Sequence, residues 1–119
     1  MTADKARIYH NPRCSKSREA LALLREHGIE PEVVLYLEHP PSARELEVML
    51  GQLGVEPRAL LRTKEDAYAE SGLTEESSMR EIADAIVAQP ILLERPLVVI
   101  GDRAVIGRPP ERVLELLEG

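Results

Sequence analysis

An α/β fold with a mixed four-stranded sheet is predicted for this 119-residue chain by three observations. Two β-rich runs, residues 7–10 and 32–36, flank one amphipathic stretch, the strand, helix, strand order of a right-handed parallel unit. Towards the other end, the β-rich runs 96–100 and 104–106 are separated only by Gly101-Asp102-Arg103, a span short enough for a hairpin. Between these halves, over about residues 42–89, the pattern is helical throughout. The chain therefore reads as a single domain over residues 1–119, with a helical insertion between a β-α-β half and a β-β-α half.

Taken in order, residues 7–10 form a brief strand, followed at once by a turn at Asn11-Pro12. Over residues 15–27 the apolar positions Ala20, Leu21, Leu23 and Leu24 share one side of a helix, Lys16, Arg18, Arg25 and Glu26 face water, and Gly28 ends it. The run Glu-Val-Val-Leu-Tyr at 32–36 lacks alternation, which predicts a strand covered on both faces. Pro40-Pro41 interrupts the chain before Ser42-Ala43-Arg44-Glu45, a capping box in which serine and glutamate satisfy each other's backbone N–H groups. The helix it opens carries Leu46, Met49, Leu50 and Leu53 on one stripe and ends at Gly54. Residues 57–62 predict another short helix, and the acidic stretch 63–76 predicts solvated turns with one more. Ser78-Met79-Arg80-Glu81 repeats the capping box ahead of an inner face of Ile82, Ala85 and Ile86, and that helix stops before Pro90. After the hairpin, Pro109 and Pro110 stand where a helix can begin, with Val113, Leu114 and Leu117 on its buried side.

Composition narrows the function classes. With no Trp, no Phe and three Tyr, a core built from Leu, Ile, Val and Ala is expected, and the aromatic platforms on which single-stranded nucleic acid stacks are scarce. A formal charge of -6 opposes a nucleic acid or an anionic membrane as the main partner, and any anion site must be assembled locally from a few converging cations. No segment approaches the roughly 18 apolar residues of a membrane span. Residues 1–7 have no apolar run and are read as lacking a signal peptide. One cysteine permits no internal disulfide, so a cytoplasmic protein with a reduced thiol is expected.

That cysteine, Cys14, sits between a strand and a helix among His10, Asn11, Pro12, Arg13, Ser15, Lys16, Ser17 and Arg18. At the start of a helix, unpaired N–H groups and the positive dipole end favour the anionic sulfur, which is the nucleophilic form. Polar and cationic flanks favour a reactive thiol over a buried structural one. Position 17 is serine, so Cys14-Ser15-Lys16-Ser17 cannot cycle as a dithiol, and an adduct on Cys14 must be released by a thiol from another molecule. A phosphatase-type loop would need arginine six positions after the cysteine, where this chain has Ala20.

In its motifs the chain resembles the glutathione- and glutaredoxin-coupled arsenate reductases of the thioredoxin-like fold. The resemblance is carried by residues 10–18, by Tyr36-Leu37-Glu38 before Pro40-Pro41, by the stretches 58–62 and 91–99, and by Gly107-Arg108-Pro109, in order along nearly the whole chain. It implies that Cys14 attacks arsenate, that Arg62, Arg95 and Arg108 hold the oxyanion and the arsenic intermediate, and that His10 supports the thiolate. It further implies that Pro96 is a cis-proline. Ser15 and Ser17 are candidate hydrogen-bond donors to sulfur or oxyanion, with helix capping as the alternative for both. A turn-capping role for His10 likewise stays open. The physical fit is direct, because an anionic sulfur approaches an oxyanion only where cations offset the repulsion, and guanidinium forks match its oxygens in pairs.

The resemblance implies no bound cofactor and no metal, with glutathione as co-substrate, glutaredoxin as partner, and arsenate and arsenite as substrate and product; separately, a monomer is expected. Two other readings belong beside it. Spx-type regulators share the fold and a similar helical insert and dock on RNA polymerase, although they often carry Cys-x-x-Cys where this chain has Cys-x-x-Ser. A thiol oxidoreductase acting on another oxyanion, or on a glutathionylated thiol, keeps the chemistry and changes the substrate.

Overall fold

Four strands build one mixed sheet in the order β2-β1-β3-β4, from β1 (Ala6–His10), β2 (Glu32–Leu35), β3 (Leu97–Ile100) and β4 (Arg103–Ile106). The computed structural model describes residues 5–117, so the first four residues of the N-terminal stretch read above lie outside the described residues. β1 runs parallel to β2 and antiparallel to β3, and β3 and β4 form the antiparallel hairpin. These residues fall into two compact units, one holding the chain up to Tyr36 and from Arg95 onward, the other Leu37–Glu94.

In the first unit, register sets the core. Ile8 pairs with Val98, and Val98 with Val105, so the three side chains form a row on one face of the sheet. Ala20 and Leu24 of α1 (Ser15–Glu26) and Val113 and Leu116 of the C-terminal 3-10 helix (Pro110–Leu117) close over that row. Full burial of a side chain such as Ile8 or Leu24 stabilises the fold by about 1.5–3 kcal/mol.

Two expectations change here. β2 is an edge strand with Glu32 and Val33 exposed, not a strand covered on both faces, because an apolar β-branched run reports strand propensity whether or not both faces are covered. The C-terminal helix is 3-10, and its period of three buries Pro110, Val113 and Leu116, leaving Leu114 and Leu117 half-buried.

In the second unit both capping boxes form, at Ser42 with Glu45 and at Ser78 with Glu81. They open α2 (Ala43–Leu53) and α4 (Met79–Ala88), which pack on each other. Leu46, Met49 and Leu50 are buried on α2, and Ile82, Ala83 and Ile86 on α4, so Ala83 holds the place expected for Ala85. A short helix α3 (Asp66–Ser71) lies between them in the chain, and 3-10 turns occupy Pro57–Leu60 and Pro90–Leu92. An isolated bridge joins Leu61 to Leu93, with Arg62 N–H donating to Leu92 O at 2.8 Å and Glu94 N–H to Leu60 O at 2.7 Å. Among the described residues, no helix is long and apolar enough to cross a membrane.

Candidate active site

The loop between β1 and α1 is shaped by Asn11. Its side-chain Oδ1 accepts from Arg13 N–H at 3.0 Å, an Asx turn, and its backbone carbonyl accepts from Cys14 N–H at 2.9 Å. Cys14 is thereby held in an extended conformation as the N-cap of α1, and its carbonyl accepts the first helical bond from Arg18 N–H at 3.0 Å. The half-buried sulfur makes no capping hydrogen bond, so it stands uncommitted beside the positive end of the helix. Arg13, Ser15, Lys16 and Arg18 around it are exposed, and Arg18 Nη1 donates to Pro12 O at 2.7 Å.

Beneath the loop lies Ser17, fully buried in the first turn of α1. Its Oγ accepts from Asn11 N–H at 3.1 Å and lies 2.7 Å from His10 Nδ1. With Oγ already accepting one N–H, the arrangement that leaves no hydroxyl proton idle has Ser17 donating to Nδ1, which assigns the ring proton to Nε2. Burial, then the charges of Arg25 and Arg18, hold His10 below the ordinary histidine range, in keeping with a neutral ring. Among the described residues, no hydrogen bond joins His10 to the Cys14 sulfur. Ser17 differs from the expectation of a donor offered to sulfur or oxyanion, because its hydroxyl is spent inside the loop.

Arg95 and Arg108 come together in the same unit. Arg108 Nη1 donates to Arg95 O at 3.0 Å, and Gly107 N–H to Pro96 O at 2.8 Å. The peptide bonds before Pro96 and Pro109 are both cis. Gly107 is required by close approach, since a Cβ there would lie 2.9 Å from Pro96 Cγ, 3.1 Å from Val113 Cγ1 and 3.7 Å from Ala20 Cβ. Ala20 is six residues along α1 from Cys14, about 9 Å of helix. Arg95 Nε and Nη1 are withdrawn from solvent, whereas Arg108 is exposed.

Arg62 belongs to the second unit. There Nη1 pairs with Glu65 at 2.8 Å and Nε faces Glu94 at 3.9 Å. The structure thus brings His10, Ser17 and the Cys14 loop together, and Arg95 with Arg108, while Arg62 is gathered with two carboxylates. Sequence reasoning placed the turn at Asn11-Pro12 and missed the Asn11 side-chain bond within it, together with those carboxylates. An asparagine opening a turn was a usable signal for that bond, and the short separation of Arg62 and Glu65 in the sequence for the pair. Among the described residues, no three His, Cys, Asp or Glu side chains are grouped to hold a metal ion.

Chemically, this is a half-buried free thiol with no second cysteine in the chain, placed at the N-terminus of a helix, whose dipole favours negative charge. A profile of the ArsC family matches residues 9–116. An Escherichia coli K12 protein named Uncharacterized protein YfgD is 54% identical, over 95% of this chain and 97% of its own length. An arsenate reductase of Haemophilus influenzae is 48% identical, over 92% of this chain and 97% of its own. Among solved structures, an arsenate reductase from Vibrio cholerae superposes with a TM-score of 0.90 at 49% identity, covering 96% of this chain and 98% of that one.

Proposed function

The chain belongs to the ArsC family, with its thioredoxin-like α/β fold, and on that footing we propose that it is an arsenate reductase in which Cys14 is the nucleophile. The observation that carries the reading is the placement of the chain's one cysteine as the uncapped N-cap of α1. In this reaction the Cys14 thiolate attacks arsenic(V), an As–S bond forms, and one arsenate oxygen leaves as water. A glutathione thiol then displaces a second oxygen, again as water, to give arsenic bearing both sulfurs. A glutaredoxin thiolate takes the glutathione sulfur as a mixed disulfide, and the electron pair of the broken As–S bond stays on arsenic, reducing it to arsenic(III). Water replaces Cys14 on arsenic, and arsenite departs with the thiol regenerated. An outside thiol is needed because Ser17 stands where a resolving cysteine would have to be.

In this account Arg62, Arg95 and Arg108 hold oxyanion oxygens as charge moves from sulfur to arsenic. Ser15 lies exposed at the first helical position, where its hydroxyl and N–H are available to the oxyanion. His10 and Ser17 are positioning residues, fixing the loop from which Cys14 reacts. The test is arsenate-dependent oxidation of glutathione by the purified chain, with and without glutaredoxin, in parallel with phosphate and sulfate as competitors. Turnover that requires arsenate and both thiol components supports the reading. Turnover with another oxyanion and none with arsenate overturns the substrate, and turnover without glutathione overturns the thiol route.

A further inference from the structure

A pocket of about 470 Å³ opens on the flank of α1, lined by His10, Pro12, Arg18, Leu21, Ala22 and Arg25. Residues 18, 21, 22 and 25 form one stripe of the helix, beside the face that Ser17, Ala20 and Leu24 bury. His10 is only 6% exposed, and with Nδ1 bound to Ser17, Nε2–H is the polar group it has left to offer. Arg18 commits Nη1 to Pro12 O and keeps its remaining donors. Arg25 is held by Glu30 through bonds of 3.0–3.2 Å, so among the described residues the carboxylate bonded at this rim is already paired. The polar groups that remain uncommitted are therefore donors, set against the apolar surface of Pro12, Leu21 and Ala22. Such a pocket suits an acceptor-bearing group on a short aliphatic stem.

We propose that this pocket binds a carboxylate of the small thiol peptide that resolves the Cys14 adduct, with Arg18 and His10 Nε2–H as its donors. The inference rests on the Cys14 reading above and adds the binding site that the reading lacks. Reach supports it. Pro12 is two residues from Cys14, at most about 7 Å along extended chain, and the thiol and terminal carboxylate of a tripeptide are separated by a similar span. A free oxyanion would use the same donors but would gain nothing from the apolar wall.

The test is NMR observation of the His10 ring in the full chain carrying Cys14→Ser, with His27→Gln and His39→Gln variants to assign the three histidines. The probe is S-methylglutathione, whose blocked thiol cannot react, and acetate and sulfate are titrated in parallel arms. A saturable shift of the His10 signal is expected with the peptide. Arg18→Ala should weaken binding at least fivefold. Ala22→Glu, which adds negative charge to the lining at an exposed position and suits a helix, should weaken it at least tenfold. An unmoved His10 signal, or a shift undiminished in Ala22→Glu, overturns the proposal, as does sulfate or acetate binding as tightly as the peptide. Binding is read without turnover. A chain that reduces arsenate but leaves His10 unmoved therefore rejects the pocket alone, whereas one that binds the peptide without reducing arsenate supports the pocket and overturns only the reaction.

Discussion

Ser17 Oγ lies 2.7 Å from His10 Nδ1, and both side chains are buried beneath the loop that carries Cys14. The same oxygen accepts Asn11 N–H, so one hydroxyl joins the end of β1, the turn and the first turn of α1. Ser17→Ala would leave a buried ring nitrogen and a backbone N–H without their partner. It is expected to destabilise the fold by about 1–3 kcal/mol, read from the midpoint of urea unfolding at constant slope.

His10 makes stability depend on pH. Burial, with Arg25 and Arg18, lowers its folded-state pKa, so between that value and the ordinary 6.5 the unfolded chain binds the extra proton. The contribution is fully present above pH 6.5 and is lost as pH falls through the folded value. Urea unfolding at pH 7.5 and at successively lower pH should show this loss, and His10→Gln should flatten that segment. A wild-type profile that rises as pH falls through the window would contradict the sign.

Gly107 is where β4 hands over to Arg108, and a methyl group has no room beside Pro96 Cγ and Val113 Cγ1. Gly107→Ala is expected to cost about 1–3 kcal/mol by overpacking and to shift Arg108 relative to Arg95. Thermal unfolding gives the first effect, and a raised KM for arsenate the second.

Arg62 cannot take an oxyanion without competition from Glu65, whose carboxylate lies 2.8 Å from Nη1. If Arg62 binds the substrate as proposed, Glu65→Gln should lower KM for arsenate by roughly two- to fivefold, the scale of a partly shielded ion pair, with little change in kcat. An unchanged KM would place Arg62 outside the oxyanion site.

Much of the fold was legible because local signals agreed with one another. Both capping boxes formed at the serines and glutamates that announced them, and the hairpin closed around Gly101 at a φ of +61°. What escaped were features set by partners distant in sequence. The edge position of β2 depends on strand order, which a run of Val and Leu does not encode. The 3-10 period of the last helix puts Leu116 inward, where a 3.6 period had favoured Leu117. At the site, Cys14 was visible as an isolated thiol at a helix start. The inward turn of Ser17 was not, because a serine in the first turn of a helix reads equally as a cap, a ligand donor or a buried hub.

The central claim is that the Cys14 sulfur is the atom that attacks arsenic. The most direct measurement is the rate of arsenite formation by wild type and Cys14→Ser, with arsenate, glutathione and glutaredoxin at fixed concentrations. The account predicts a loss of at least roughly a thousandfold in the variant with unfolding unchanged. Arsenite formed by Cys14→Ser at the wild-type rate would contradict it.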